Sequence, residues 1–243
     1  MLKEKLDKLR DYYNTKEFIT NDPVQFPHRF STVQDVEIVS LIIATISWGN
    51  RKSILKSAEK ILSILGNSPY DYVRNGQFKG NGKGNLHRTF FERDLFYFCR
   101  GFQYLYQRYN SAEELFRGEK DIWDGISALR ALFIEGNGGV ESKHFANPEK
   151  NSACKRIHMA LRWLVRNDGV VDLGVWKSIQ PSQLMIPLDT HVARIGREMD
   201  LLSRKQNDRK AVEELTRNLK ELDPIDPVGY DFALFGYGIS RLD

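Results

Sequence analysis

Two stretches decide how this chain reads: Asn151-Ser-Ala-Cys-Lys-Arg-Ile-His-Met-Ala-Leu-Arg-Trp-Leu-Val-Arg166, and Met185-Ile-Pro-Leu-Asp-Thr-His-Val-Ala-Arg-Ile-Gly196. In the first, Ile157, Ala160, Leu161, Leu164 and Val165 recur at helical spacing, so an amphipathic helix is expected over about 152–166. Lys155 falls in its first turn, off the densest part of the apolar stripe. In the second, Asp189 follows a proline and a leucine and precedes a new apolar period, the position of a helix N-cap. One amine and one carboxylate therefore each open a helix.

Working outward, the helical period recurs almost everywhere. Leu2, Leu6, Leu9 and Tyr13 mark a surface helix over 2–14. Asp35 to Trp48 is apolar nearly all round and should be a buried helix, with Ser31 or Thr32 as its cap. Ile54 to Leu65 gives another helix, stopped by Gly66. Further helices are expected over 91–109, 121–135, 207–222 and 227–240, with Asp208 capping the third of these and a short capped turn at Ser111. The glycine-rich segment 76–88 reads as a solvated loop and does not match a phosphate loop, because Lys83 is followed by Gly84. Residues 170–182 show no clear period, although Trp176 suggests a packed excursion. No alternating strand pattern of useful length is present. The fold class is all-α.

The bulk properties narrow the function classes. At 41% apolar and 28% charged, the 243 residues belong to a globular protein. No run of eighteen apolar residues occurs, so no membrane contact is expected. The charged N-terminus lacks the apolar centre of a signal peptide, so a cytoplasmic, nucleoid-associated location is expected. Cys99 and Cys154 are the two cysteines, too few for a four-thiolate cluster, and the five histidines lack metal-ligand spacing. No metal or other cofactor is expected. The net charge of +4 suits a nucleic-acid partner.

The paired groups suggest a chemistry. An ammonium near a helix N-terminus meets an unfavourable dipole, which favours the neutral, nucleophilic amine. A carboxylate held by backbone N–H groups stays ionised and oriented, which suits stabilising an oxocarbenium-like sugar or steering a nucleophile. A solvated lysine and an ordinary cap are the plain alternatives. On the second helix His191, Arg194 and Arg197 follow; Arg194 and Arg197 share a face with Thr190 and point to phosphates or to water.

The spacing of Lys155 and Arg162, followed by Ile186-Pro-Leu-Asp-Thr-His-Val-Ala-Arg194, resembles the helix-hairpin-helix DNA glycosylase superfamily. It is closest to the archaeal 8-oxoguanine DNA glycosylase type, and similar also to a bacterial domain-of-unknown-function family of that superfamily. The resemblance covers residues 20–65 loosely and 150–241 well. It implies a two-lobed helical fold with a cleft between lobes: one unit over 1–243, with lobe one at about 31–150 and lobe two at about 1–30 packed with 151–243. It implies Lys155 as nucleophile and Asp189 as its catalytic partner. Gln25, Arg162, Asp231 and Phe235 would meet the extruded base, and Arg156, His191 and Arg194 the DNA backbone. The implied partner is lesion-bearing double-stranded DNA, bound by a monomer. The implied reaction is removal of an oxidised purine with β-elimination at the abasic site. The sequence departs from the pattern in three places. No Gly-x-Gly hairpin precedes Lys155, the loop 136–150 standing in its region. Phe235 replaces a stacking tryptophan, and Arg156 replaces a small residue. A non-catalytic nucleic-acid binder on the same scaffold, or a helical protein-interaction scaffold, are the rival expectations.

Overall fold

A computed structural model describes residues 1–78, 80–118 and 121–240. In chain order the helices are α1 (Leu2–Tyr13), α2 (Lys16–Thr20), α3 (Val33–Ile46), α4 (Arg51–Leu65), α5 (Pro69–Asn75), α6 (Glu92–Tyr106), α7 (Ile122–Glu135), α8 (Lys155–Val165), α9 (Thr190–Glu198), α10 (Arg209–Leu222) and α11 (Tyr230–Ser240). A hairpin of β1 (Asn85–His87) and β2 (Phe90–Phe91) lies between α5 and α6. Among the described residues the protein is all-α apart from this ribbon. The chain forms two compact units, Met1–Thr20 with Asn147–Asp243, and Asn21–Ala146. Residues 21–30, expected beside 151–243, thus fall in the second unit.

The second unit is built on α3. Its residues from Asp35 to Ile46 are all buried, as an all-round apolar sequence demands. Thr32 caps it, accepting from the Asp35 amide at 3.3 Å. Two carboxylates of α3 enter this core and each is absorbed by donors. Asp35 accepts from the Tyr70 amide at 2.7 Å, and Glu37 from the Ala112 amide at 3.1 Å and the Tyr106 hydroxyl at 2.8 Å. Helices α6 and α7 cross where Gly101 meets the Phe133 ring; a Cβ there would lie 2.4 Å from it. The glycine-rich segment is not the free loop its composition suggests. Arg93 donates its amide to the Gly82 carbonyl at 3.2 Å, Glu92 to the Gly84 carbonyl at 2.8 Å, and Gly84 returns its own amide to Glu92.

In the first unit α11 is the central element, packed on α1 and α9. Glycines allow both approaches: a Cβ at Gly236 would lie 2.3 Å from the Tyr13 ring, and one at Gly238 would lie 3.0 Å from His191 Cβ. At the head of α11 the buried Tyr230 donates its hydroxyl to Asp7 at 2.8 Å, fastening α1. Phe18 of α2 meets Phe232 edge-on at 5.3 Å between centroids. The 170–176 segment is the packed excursion that Trp176 foreshadows. Leu173 and Trp176 donate their amides to the carbonyls of Trp163 and Leu164 at 2.9 and 2.8 Å, so the chain doubles back along the end of α8.

Candidate active site

Lys155 is the first residue of α8, and the turn before it is tightly held. Asn151 and Cys154 both adopt left-handed backbone, with φ of 58° and 44°. Such conformations cost a non-glycine residue about 1–2 kcal/mol each, so other contacts must fix them. Asn151 donates its side-chain amide to Asp208 at 2.9 Å and accepts the Arg209 amide at 3.1 Å on its carbonyl. Asp208 in turn caps α10 at the Ala211 amide, 3.1 Å away, and hydrogen bonding from Arg204 holds its carboxyl well below the usual carboxylate range. The heads of α8 and α10 are thus tied together. No side chain caps α8 and no acid lies in its first turn, so α8 itself supplies no negative charge to offset the positive end of its dipole at Lys155.

Asp189 is the N-cap of α9, as its sequence position implies. Its Oδ1 accepts the Val192 amide at 2.8 Å, and its Oδ2 lies 3.5 Å from Lys155 Nζ. The lysine side chain is 33% exposed and the aspartate 10%. The carboxylate is therefore fixed by its helix, and the amine reaches it from a position open to a ligand.

Two turns further along α8 a second pair lies deeper. Arg162 is buried, with its Nε 3.2 Å from Asp172 Oδ1 and its Nη1 donating to Asp231 Oδ2. Its guanidinium carbon lies 4.3 Å from the centre of the Phe232 ring. Arg166, also buried, extends the network to Asp172 at 3.1 Å and Asp226 at 2.7 Å, and it pairs with Asp168. Four carboxylates face two guanidiniums, so negative charge is in excess. Asp231 responds most visibly. Burial pushes its carboxyl up to about 7; Arg162 and Lys155 oppose the rise, while Asp189 and Asp172 add to it. Burial also raises Asp172, against the pull of both arginines.

The other expected residues divide. Phe235, one turn after Asp231 on α11, is half-buried and meets His191 of α9 edge-on at 6.0 Å. Arg194 donates to Glu198 and to the Gly238 carbonyl, both at 2.8 Å, so its guanidinium joins α9 to α11. Arg197, expected on the same outward face, instead clamps the following turn through the carbonyls of Arg204 and Lys205 at 2.7 and 2.9 Å. Arg156 is half-buried, and burial lowers its pKa. Gln25 lies in the second unit, where its side-chain amide donates to the Asp22 carbonyl at 3.2 Å. Sequence reasoning missed Asp172 and Arg166. The signal was there in part: an acid inside the short apolar run Val170-Val-Asp-Leu173, and an arginine one turn after Arg162.

A polar surface pocket of roughly 500 Å³ lies elsewhere in the unit, along Ser203 to Gln206 and Lys210, Glu213 and Arg217. It contains none of the candidate residues; its Ser203 hydroxyl donates to Glu214 at 2.7 Å, and the same carboxylate accepts the Ser203 amide, so the pair closes a turn. Among the described residues there is no group of three or more His, Cys, Asp or Glu side chains able to hold a metal ion. No helix among them is long and apolar enough to cross a membrane.

A family model described as "Protein of unknown function (DUF2400)" matches residues 22–240. The chain belongs to this family. The DUF2400 span takes in all the candidate residues from Gln25 to Phe235 and leaves outside it α1 and α2, although both pack on α11. No curated protein matches the chain, and no solved structure does.

Proposed function

We propose that this DUF2400 protein is a DNA base-excision glycosylase with abasic-site lyase activity, acting on an oxidised purine of the 8-oxoguanine kind. The observation that carries the reading is the 3.5 Å approach of Lys155 Nζ to Asp189 Oδ2, each group held at the head of its own helix within one unit. The sequence likeness to helix-hairpin-helix glycosylases supports the DNA substrate, and the net charge of +4 is compatible with it.

In this reading the salt-linked pair is the resting state. The ammonium gives up a proton before attack, and a carboxyl with a pKa of about 7 is matched to that exchange near neutrality. Asp231 is such a group and lies within electrostatic reach of Lys155. The amine lone pair then forms a bond to C1′. The glycosidic C–N bond breaks with its electron pair going to the base, which takes up a proton. Asp189 stabilises the positive charge on the sugar as the bond lengthens. Opening of the sugar ring leaves an imine between Lys155 and C1′. Loss of a C2′ proton expels the 3′ phosphate, and water releases the enzyme. Phe235 and Asp231 face the extruded base, since an enzyme acting on a duplex base must unstack it.

Borohydride trapping tests the reading directly, because hydride reduces the imine to a stable cross-link. Duplexes carrying 8-oxoguanine or an abasic site should cross-link to the wild-type protein. Lys155→Ala should form none and Asp189→Asn much less. Equal trapping by wild type and Lys155→Ala would remove Lys155 as nucleophile. Absence of trapping on every lesion, with salt-dependent duplex binding retained, would favour a non-catalytic binder.

A further inference from the structure

The exposed face of α4 in the second unit is basic. Lys52, Lys56 and Lys60 are all exposed and stand four residues apart. Such spacing stacks side chains on one side of a helix, with a rise of about 6 Å between them. That step is comparable to the separation of successive phosphates along one strand. A single carboxylate, Glu59, shares the face. Arg29 grips it through two bonds of 2.9 and 2.6 Å, so its charge is already matched.

Local structure joins the hairpin to this face. Lys60 Nζ donates to the Asn85 carbonyl at 2.5 Å. At the other end of the helix the Arg88 guanidinium lies over Gly49, where a Cβ would come within 2.3 Å of its Nη1. Both residues have positive φ, 96° for Gly49 and 50° for Arg88, so this close approach is built into the backbone. Arg88 is itself exposed. The first turn of α4 carries no acid, so the positive end of the helix dipole adds to the same region.

We propose that Lys52, Lys56 and Lys60, with Arg88 beside the head of α4, form a docking face for the sugar-phosphate backbone of duplex DNA. The inference rests on the reading of the protein as a DNA enzyme and assigns it a backbone contact outside the candidate active site. Neutralising phosphates releases counterions, so each such contact steepens the salt dependence of binding by about 0.9 in log–log slope.

The experiment is a salt titration of binding to a labelled, lesion-free duplex by fluorescence anisotropy, with the full chain. One variant carries Lys52→Gln, Lys56→Gln and Lys60→Gln. A control variant carries Lys16→Gln, Lys205→Gln and Lys210→Gln, three exposed lysines with the same total charge change. The α4 variant is expected to bind about tenfold or more weakly at 0.1 M salt, with its slope reduced by about 2.7. The control should stay within twofold of wild type. Equal losses in both variants would show a net-charge effect and overturn the assignment of this face, as would an α4 variant indistinguishable from wild type. In those cases lesion trapping by the α4 variant would still report on the glycosylase reading. A wild-type protein that binds no duplex at low salt would overturn both.

Discussion

Asp231 gives the sharpest physical test of the site, and it needs no substrate. Its carboxyl titrates at about 7 in the folded protein against an ordinary 3.8, chiefly because it is buried. Between these two values the folded state holds a proton that the unfolded chain has released. Raising the pH through this window therefore favours unfolding. The stabilising share of the protonated carboxyl is complete below about 3.8 and is lost as pH climbs through about 7. At about 1.4 kcal/mol per pH unit, the gap between 3.8 and about 7 corresponds to about 4 kcal/mol. Asp231→Asn mimics the neutral carboxyl in shape but cannot ionise. Urea unfolding of both proteins from pH 4 to pH 8 isolates the effect, because the other titrating groups largely cancel in the difference. The two should be alike near pH 4. The variant should then gain on wild type up to pH 7–8 and end about 4 kcal/mol ahead. Parallel curves, or a wild type that gains on the variant as pH rises, would show that Asp231 is ionised with ordinary ease and would refute the account of the buried network.

Removing the cation instead of the acid should have the opposite sign: Arg162→Met strands Asp231 in the core and leaves Asp172 to Arg166 alone, and should cost about 3–5 kcal/mol at pH 8 by chemical denaturation. Asp189→Ala deletes the cap of α9 and should lose about 1 kcal/mol, most of it retained in Asp189→Asn, as read from thermal melts of all three proteins. Gly101→Ala drives a methyl group to 2.4 Å from the Phe133 ring between α6 and α7 and should destabilise by about 1–3 kcal/mol in urea. Asp200→Gly should stabilise by about 1 kcal/mol, because Asp200 occupies a left-handed position (φ 57°) in the turn after α9, where the Leu201 amide reaches the Gly196 carbonyl at 2.8 Å; a lowered melting temperature would count against it.

Long periodic elements were legible in the sequence because one force dominates them. The unbroken apolar run of α3, and the caps Thr32, Asp189 and Asp208, report burial and backbone satisfaction directly. Short elements were not. Helix α5 is a single seven-residue stretch whose start, Ser68-Pro69, carries a cap and a first-position proline but too little apolar period to stand out. The hairpin at 85–91 has only three and two residues per strand, so alternation has no room to show. At the candidate site, the placement of Lys155 and Asp189 at helix heads followed from local pattern. Asp172 was hidden because its partners, Arg162 and Arg166, lie on α8 while it sits in an aperiodic connection. Only the return of that connection along α8, visible in the amide bonds to Trp163 and Leu164, puts the acid between the two arginines.

The contrast between the two cation–carboxylate pairs on α8 bears on what each is for. Lys155 and Arg162 are two turns apart, and each meets an aspartate supplied by a later helix, Asp189 from the head of α9 and Asp231 from α11. A buried ion network is a poor source of stability, since well-packed apolar side chains of similar volume commonly do as well or better. Its use lies in orientation. Arg162 cannot turn without leaving Asp231 uncompensated and giving up its bond to Asp172, so the arginine, both acids and the Phe232 ring beneath it are held in one arrangement. The shallower pair lacks that constraint. Lys155 has a third of its side chain exposed, and a 3.5 Å separation is long for a charge-assisted hydrogen bond. Breaking it takes the amine toward water, whereas breaking the deeper pair leaves charges buried. The amine is therefore the member of this constellation that can leave its partner at low cost, as the proposed glycosylase reaction requires, while the arginine network keeps the neighbouring acid in place.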